Sequence, residues 1–350
     1  MHHDPSAKPM KCMTITAPLW RCRQCRHGEA WLLLSAVLIG LLLSACQPAL
    51  MPPTDSSAAA SIEHPALGEI SGIAASTRRD DLLWVINDSG NRNQLHALAA
   101  SDGSLLASIS VAGISNIDWE DLAAFALDGQ HWLLIADVGD NQARRRYGHL
   151  YLLPEPELHA ASPPPAEVGI STETVFSYVD GARDVEAVAV DVQRREVLLV
   201  SKRDQPPGVY SLPLPLPLPL QLHRSSPPLL AQRIASVSGL LPPSEADRLR
   251  YGRYQPYVAQ PTALDIHSNG STVSALLLTY KHAYLFQRRW DEDWQQAWRT
   301  PQVIGIPPMP QTEAVGFDRM GCSLWVTTEQ LPAALHRIEL GHCNENLPED

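Results

Sequence analysis

Lysine is almost missing from this chain of 350 residues. There are four, Lys8, Lys11, Lys202 and Lys281, and arginine supplies the rest of the 27 basic groups set against 38 acids. The net charge of −11 excludes nucleic acid as a natural partner, because a phosphate backbone is held by dense positive charge. Familiar catalytic signatures are missing too. From residue 46 onward there is no G-x-S-x-G elbow, H-E-x-x-H helix, Walker loop or C-x-x-C pair, so no serine triad, zincin site or nucleotide hydrolysis is indicated. Long apolar runs are confined to one stretch near the start, and cysteine is scarce, six in all. What is plentiful is proline, thirty residues, which suits short strands and loops far better than long helices. With 45% apolar residues the chain can still build a substantial core.

The first residues carry Lys8, Lys11, Arg21, Arg23 and Arg26 against Asp4 and Glu29 and precede the apolar run Trp31 to Ala45. Fifteen residues fall short of the ~20 that span a bilayer as a helix, and the run closes on small residues, so residues 1–45 read as a secretory signal. Leu43-Ser44-Ala45-Cys46 resembles the lipobox of bacterial lipoproteins, which implies acylation of Cys46 and cleavage before it. Gln47 after it resembles outer-membrane sorting in Gram-negative bacteria, and the expected location is the envelope, facing the periplasm. Without residues 1–45 the chain keeps 22 bases and 36 acids, a net −14. Cys22-Arg-Gln-Cys25 then belongs to discarded signal and has no partner pair for zinc. Residues 46–62, rich in Pro, Ser and Ala, read as a flexible tether from the membrane. Cys322 opens one strand and Cys343 follows the next; pairing about Leu331-Pro332-Ala333 sets them side by side, and an oxidising compartment predicts a disulfide.

Between residues 63 and 345 one hairpin recurs. Ser71 and Asp88, Glu120 and Asp137, Glu186 and Lys202, Thr262 and Lys281, and Glu313 and Glu329 are pairs sixteen to nineteen residues apart, each bracketing two apolar runs. A repeat of about 50 residues built from short strands predicts an all-β propeller of four-stranded antiparallel blades, five of them, with a sixth only if residues 205–260 hide one. The fifth unit shows three strands, so a segment near Ser61 to Leu67 is expected to close the ring. First strands are Ala-rich, as an axis crowded by inner strands requires, while second strands carry the Leu, Trp and Val that fill the wider space between blades.

The acidic residues precede each first strand and end its neighbour, so they share one rim. Asp88, Asp137, Lys202, Lys281 and Glu329 align there. So do Ser71, Glu120, Glu186, Thr262 and Glu313, with Glu69, Asp118, Asp184, Gln260 and Gln311 two residues earlier on the same face. Three chemistries fit such a ring. A hard cation, Ca²⁺, taking six to eight oxygens would use Asp88, Asp118, Glu120, Asp137, Asp140, Asp184, Glu186, Glu313 and Glu329. A closed network would be neutralised by Lys202 and Lys281. A metal-assisted anion site would use Glu120 or Glu186 as base and Lys202 and Lys281 to hold the anion. Trp119 fits blade packing or a stacked ligand, and His282 fits rim titration or an ordinary polar position. Trp290, Trp294 and Trp298 fit a short amphipathic helix or an outer-strand patch.

At these residues the chain resembles secreted bacterial β-propellers of the phytase-like or esterase-like group. The matching pieces are Ile70-Ser-Gly-Ile73, Asn87-Asp-Ser-Gly90, Asn116-Ile-Asp-Trp-Glu-Asp-Leu122, Asp137-Val-Gly-Asp-Asn141, Asp184-Val-Glu-Ala187, Ser201-Lys-Arg203 and Gln311-Thr-Glu-Ala314. The resemblance implies calcium and phosphoester chemistry, although no basic cluster able to cradle several phosphates accompanies it. The expected function is an envelope lipoprotein whose calcium-binding propeller meets an envelope protein, a glycan or a small anionic ligand, with metal-dependent ester hydrolysis as the alternative.

Overall fold

The structure, a computed structural model, describes residues 50–51, 58–159, 161–214 and 227–341. Five antiparallel units follow one another. Blade 1 is Ile70–Ala75, Leu82–Asn87, Gln94–Ala99 and Leu105–Ala112. Blade 2 is Trp119–Leu127, Gln130–Asp137, Gly148–Pro154 and Thr172–Tyr178. Blade 3 is Val185–Asp191, Glu196–Ser201, Gly208–Pro213 and Leu229–Ser236. Blade 4 is Pro261–Ser268, Thr272–Thr279, His282–Arg289 and Gln302–Gly305. Blade 5 is Thr312–Phe317, Ser323–Thr328 and Ala333–Glu339, completed by Ala58–Ile62 from the other end of the chain. Each first strand touches the first strands of the units before and after it, and the fifth touches the first, so the ring is closed. The fold is a β-propeller.

Alternation along the strands explains the closure. Leu133 and Ile135 point into a core shared with blade 1, whereas Leu134 and Ala136 point into one shared with blade 3. Each of the five gaps between neighbouring blades is filled by one such core. Inner strands approach so closely that a Cβ on Gly72 would meet Leu122 N at 2.8 Å, which is why small residues recur near the axis.

The closing strand begins earlier in the chain than expected. Ala58–Ile62 belongs to blade 5, because its pairing satisfies the outer edge of Ala333–Glu339, and Pro65–Leu67 is a 3-10 turn instead of part of the closing strand. Leu50–Met51 also pairs, in parallel, with Val303 and Ile304 of blade 4. Among the described residues no sixth blade appears. Residues 205–260 hold the outer strands of blade 3, the helix Glu245–Tyr251 and the 3-10 segment Gly252–Ala259. The tryptophan question resolves into a helix, Trp294–Ala297, with Trp294 and Trp298 buried between blades 3 and 4 and Trp290 exposed; Trp119 is buried between blades 1 and 2. Cys322 is disulfide-bonded and its carbonyl accepts from Leu340 N at 2.8 Å, while Cys343, Cys46 and residues 1–45, expected to be a secretory signal, lie outside the described residues. No helix among the described residues is long and apolar enough to cross a membrane.

Candidate metal centre at the axial rim

The site is built by one irregularity repeated five times. In every unit the pairing of the first two strands slips by one residue, between Ile70 and Gly72, Trp119 and Asp121, Val185 and Ala187, Pro261 and Ala263, and Thr312 and Ala314. The residues left unpaired are Ser71, Glu120, Glu186, Thr262 and Glu313, the set aligned from sequence. A bulge re-aims a side chain out of the alternating pattern, and all five are buried polar groups near the axis. Ser71 Oγ donates to Trp119 O at 2.8 Å and Thr262 Oγ1 to Thr312 O at 3.1 Å, each stitching its blade to the next. The three glutamates remain.

Glu120 leads one cluster. Oxygens of Asp88, Asp118 and Glu120 lie within 4.8 Å of one another. Glu120 is 5% exposed, and its carboxylate accepts no hydrogen bond among the described residues. Gly139 closes over the cluster: any Cβ there would overlap Glu120 Oε1 and Asp118 Oδ2, so only glycine lets the backbone pass. Asn87 Oδ1, next to Asp88 in the chain, is also buried without a donor. Burial pushes the Glu120 carboxyl well above its ordinary range, helped by the charges of Glu186, Asp88 and Asp118 and opposed by Lys202. Burial likewise raises Asp88 to about 6 and raises Asp118, with hydrogen bonds from Ser89 pulling both back. Three carboxyls whose charged forms burial penalises are three carboxyls prepared for a cation.

The other glutamates form a chain. Lys202 Nζ, itself buried, donates to Glu186 Oε1 and, at 2.9 Å, to Tyr280 Oη; Tyr280 donates onward to Glu313 Oε1 at 2.7 Å. Glu186 Oε2 is buried with no partner. Burial lifts Glu186 to about 8 despite the Lys202 ammonium, and lifts Glu329 to about 9 with help from a hydrogen bond to Glu313. Burial pulls Lys202 down, yet the charges of Glu186 and Glu313 carry it above its usual value. Replacing Tyr280 with phenylalanine removes both of its hydrogen bonds and is expected to cost about 1–2 kcal/mol in urea unfolding, leaving the Asp88 cluster intact.

The remaining expected ligands are spent on structure. Asp137 accepts from Ile117 N, Asp118 N and Arg145, the last at 2.7 Å. Asp140 accepts from Arg145 N, and Asp184 from Asp140 N and Arg203. These three fix the loop that carries Gly139. Lys281 leaves the ring altogether: its ammonium pairs with Asp247 of the helix Glu245–Tyr251 at 2.5 Å. Backbone bonds explain this. Asp88 N, Val138 N, Lys202 N and Glu329 N donate to Glu69 O, Asp118 O, Asp184 O and Gln311 O. Those four are therefore equivalent, and in blade 4 the residue following Thr279 is Tyr280. Asp137 and Lys281 each stand one place from the aligned position. Tyr280 was missed because hairpin lengths differ, and the only sequence signal for it was a polar residue directly after the strand. His282 lies beside Lys281, and burial together with that charge lowers its basicity.

No family model matches the chain, and no curated protein matches it. Several solved structures resemble it in fold. The major Malassezia sympodialis allergen Mala s 1 aligns over 80% of this chain and 94% of its own at 8% identity and a TM-score of 0.46. A luciferin-regenerating enzyme aligns over 82% and 96% at 11% identity, TM-score 0.41. The Neurospora crassa Pan2 WD40 domain aligns over 83% and 98% at 11% identity, TM-score 0.38.

Proposed function

We propose that this propeller binds calcium at its axial rim through Asp88, Asp118 and Glu120, and that it serves as a binding module of the cell envelope, tethered by lipid on Cys46. The observation that carries the cation reading is Glu120, a carboxylate buried beside two others and left without a hydrogen-bond donor. A buried charge in that state is costly unless a cation meets it. Three carboxylates, with water and nearby carbonyl oxygens, make the oxygen-rich, flexible shell that calcium takes. The lipid reading rests on the Leu43-to-Cys46 motif, and the intact mass of the mature protein tests it.

Calorimetric titration of a chain starting at Pro48, stripped with chelator, tests the cation. A saturable calcium isotherm is expected, with Glu120→Gln and Asp118→Asn each weakening it at least tenfold and Gly139→Ala abolishing it by filling the cradle. Absence of heat in the parent chain would refute the reading. A second reading, metal-assisted ester hydrolysis, is favoured by one feature: Glu186, near 8, is tuned for general acid–base work. Turnover of p-nitrophenyl esters and phosphates that needs calcium and is lost in Glu186→Gln and Lys202→Met would support it. A flat progress curve would leave the binding module alone.

A further inference from the structure

The two rims of the propeller treat arginine differently. On the rim away from the acidic cluster, Arg78, Arg79, Arg194, Arg195 and Arg319 each hold a carboxylate, from Glu157, Asp81, Asp293, Asp128 and Asp80 in turn. On the cluster's rim five exposed arginines have no carboxylate partner among the described residues: Arg92 after blade 1's second strand, Arg144 and Arg146 in the matching loop of blade 2, and Arg250 and Arg253 in the excursion before blade 4. Unpaired cations kept on one face of a chain carrying net charge −11 are a directed feature.

Apolar and aromatic groups accompany them. Leu249 is 80% exposed, and Tyr251, Tyr254 and Tyr257 are exposed along the same excursion. Arg250 lies over the Tyr251 ring at 5.3 Å and Arg253 over Tyr254 at 4.7 Å. Of the acids on this rim, Glu245 pairs with Arg248, Asp247 with Lys281 and Glu69 bonds Asn91, while Asp88, Asp118 and Glu120 form the axial cluster, half-buried to buried. Exposed Leu and Tyr beside Arg is the composition that settles at a bilayer interface, with rings and leucine at headgroup depth and guanidinium groups on phosphates.

We infer that this rim docks on an anionic phospholipid surface, with Arg92, Arg144, Arg146, Arg250 and Arg253 on headgroup phosphates and Leu249 and the excursion tyrosines entering the interface. The docking does not rest on lipidation of Cys46; such an anchor would supply high local concentration, while the rim sets which face meets the membrane.

The test is co-sedimentation with vesicles of phosphatidylglycerol and phosphatidylcholine, compared with phosphatidylcholine alone. The chain from Pro48 is suitable, since the closing strand and all five inter-blade cores lie within residues 58–341. Binding to the anionic vesicles that falls with added salt is expected. Each rim Arg→Gln substitution should lower partitioning about fivefold, so Arg250→Gln with Arg253→Gln lowers it roughly twentyfold or more. Leu249→Ser should weaken it, while Arg195→Gln on the far rim leaves it unchanged. Equal binding to neutral vesicles, no binding to either, or equal losses from near-rim and far-rim substitutions would each overturn the inference. Lipidation of Cys46 is read separately by mass, so failure here leaves the tether and cation readings standing.

Discussion

Asp121→Ala is expected to destabilise the propeller by about 3–6 kcal/mol, a large share of the ~5–15 kcal/mol that holds a typical domain folded. The Asp121 side chain is fully buried beside the axis. Oδ1 accepts from Leu122 N at 2.9 Å, and Oδ2 from Val188 N at 2.8 Å and Leu264 N at 2.9 Å. One carboxylate therefore ties the inner strands of blades 2, 3 and 4. Burial pushes its pKa well up, and the same backbone hydrogen bonds oppose that rise. Truncation leaves buried N–H groups without acceptors, each costing about 1–3 kcal/mol. Asp121→Asn keeps the shape but turns an amide NH₂ toward a backbone donor, so an intermediate loss is expected. Urea unfolding measures both. An alanine variant within about 1 kcal/mol of the parent would show that the strands are held by packing alone.

The second large effect is a pH dependence that calcium, bound as proposed, would partly offset. In chelator, stability is expected to fall between pH 5 and pH 9 by several kcal/mol. The sign follows from the raised carboxyls. Asp88 at about 6, Glu186 at about 8 and Glu329 at about 9 keep protons in the fold that the unfolded chain releases near its ordinary values. The native state binds more protons across that window, so unfolding free energy declines as pH rises. The contribution is complete below the unfolded values and lost as pH passes each folded one. Asp265, raised to about 7 by burial away from the cluster, adds to the decline and does not depend on calcium. Calcium bound as proposed would take the place of protons at the rim, so its increase in Tm should be largest near pH 8–9 and small at pH 5. Scanning calorimetry across pH, with calcium and with chelator, reads both trends. A chelated protein that gains stability up to pH 9, or a calcium increment independent of pH, would contradict the assignment.

The bulges explain how these effects share one cause. Each bulge removes a residue from the ladder and sends its side chain to the crowded axis, where polar groups must satisfy one another or a ligand. Serine and threonine at Ser71 and Thr262 are satisfied by the next blade's carbonyl. Glutamates at 120, 186 and 313 reach beyond the backbone, so they meet one another, a lysine, a tyrosine or a cation. The ring is therefore more stable protonated than bare, and a bound cation would relieve it in the same way.

Much of this was legible in the chain alone. Alternation of apolar residues and the recurrence of one hairpin determined an all-β propeller, its five units, the small residues at the axis, and the bulge residues Ser71, Glu120, Glu186, Thr262 and Glu313, because period and repeat are local properties. Which partner each polar group takes is not local, and only the tertiary structure decided it. Arginines 145 and 203 claim Asp137 and Asp184, the excursion helix claims Lys281, and Tyr280 enters the ring in its place. The closing strand is Ala58–Ile62, whose acceptors lie on Ala333–Glu339 at the far end of the sequence. Hairpins of unequal length shift an alignment by one residue without disturbing the hydrophobic pattern, and in a strand one residue decides which face, and so which neighbour, a side chain meets.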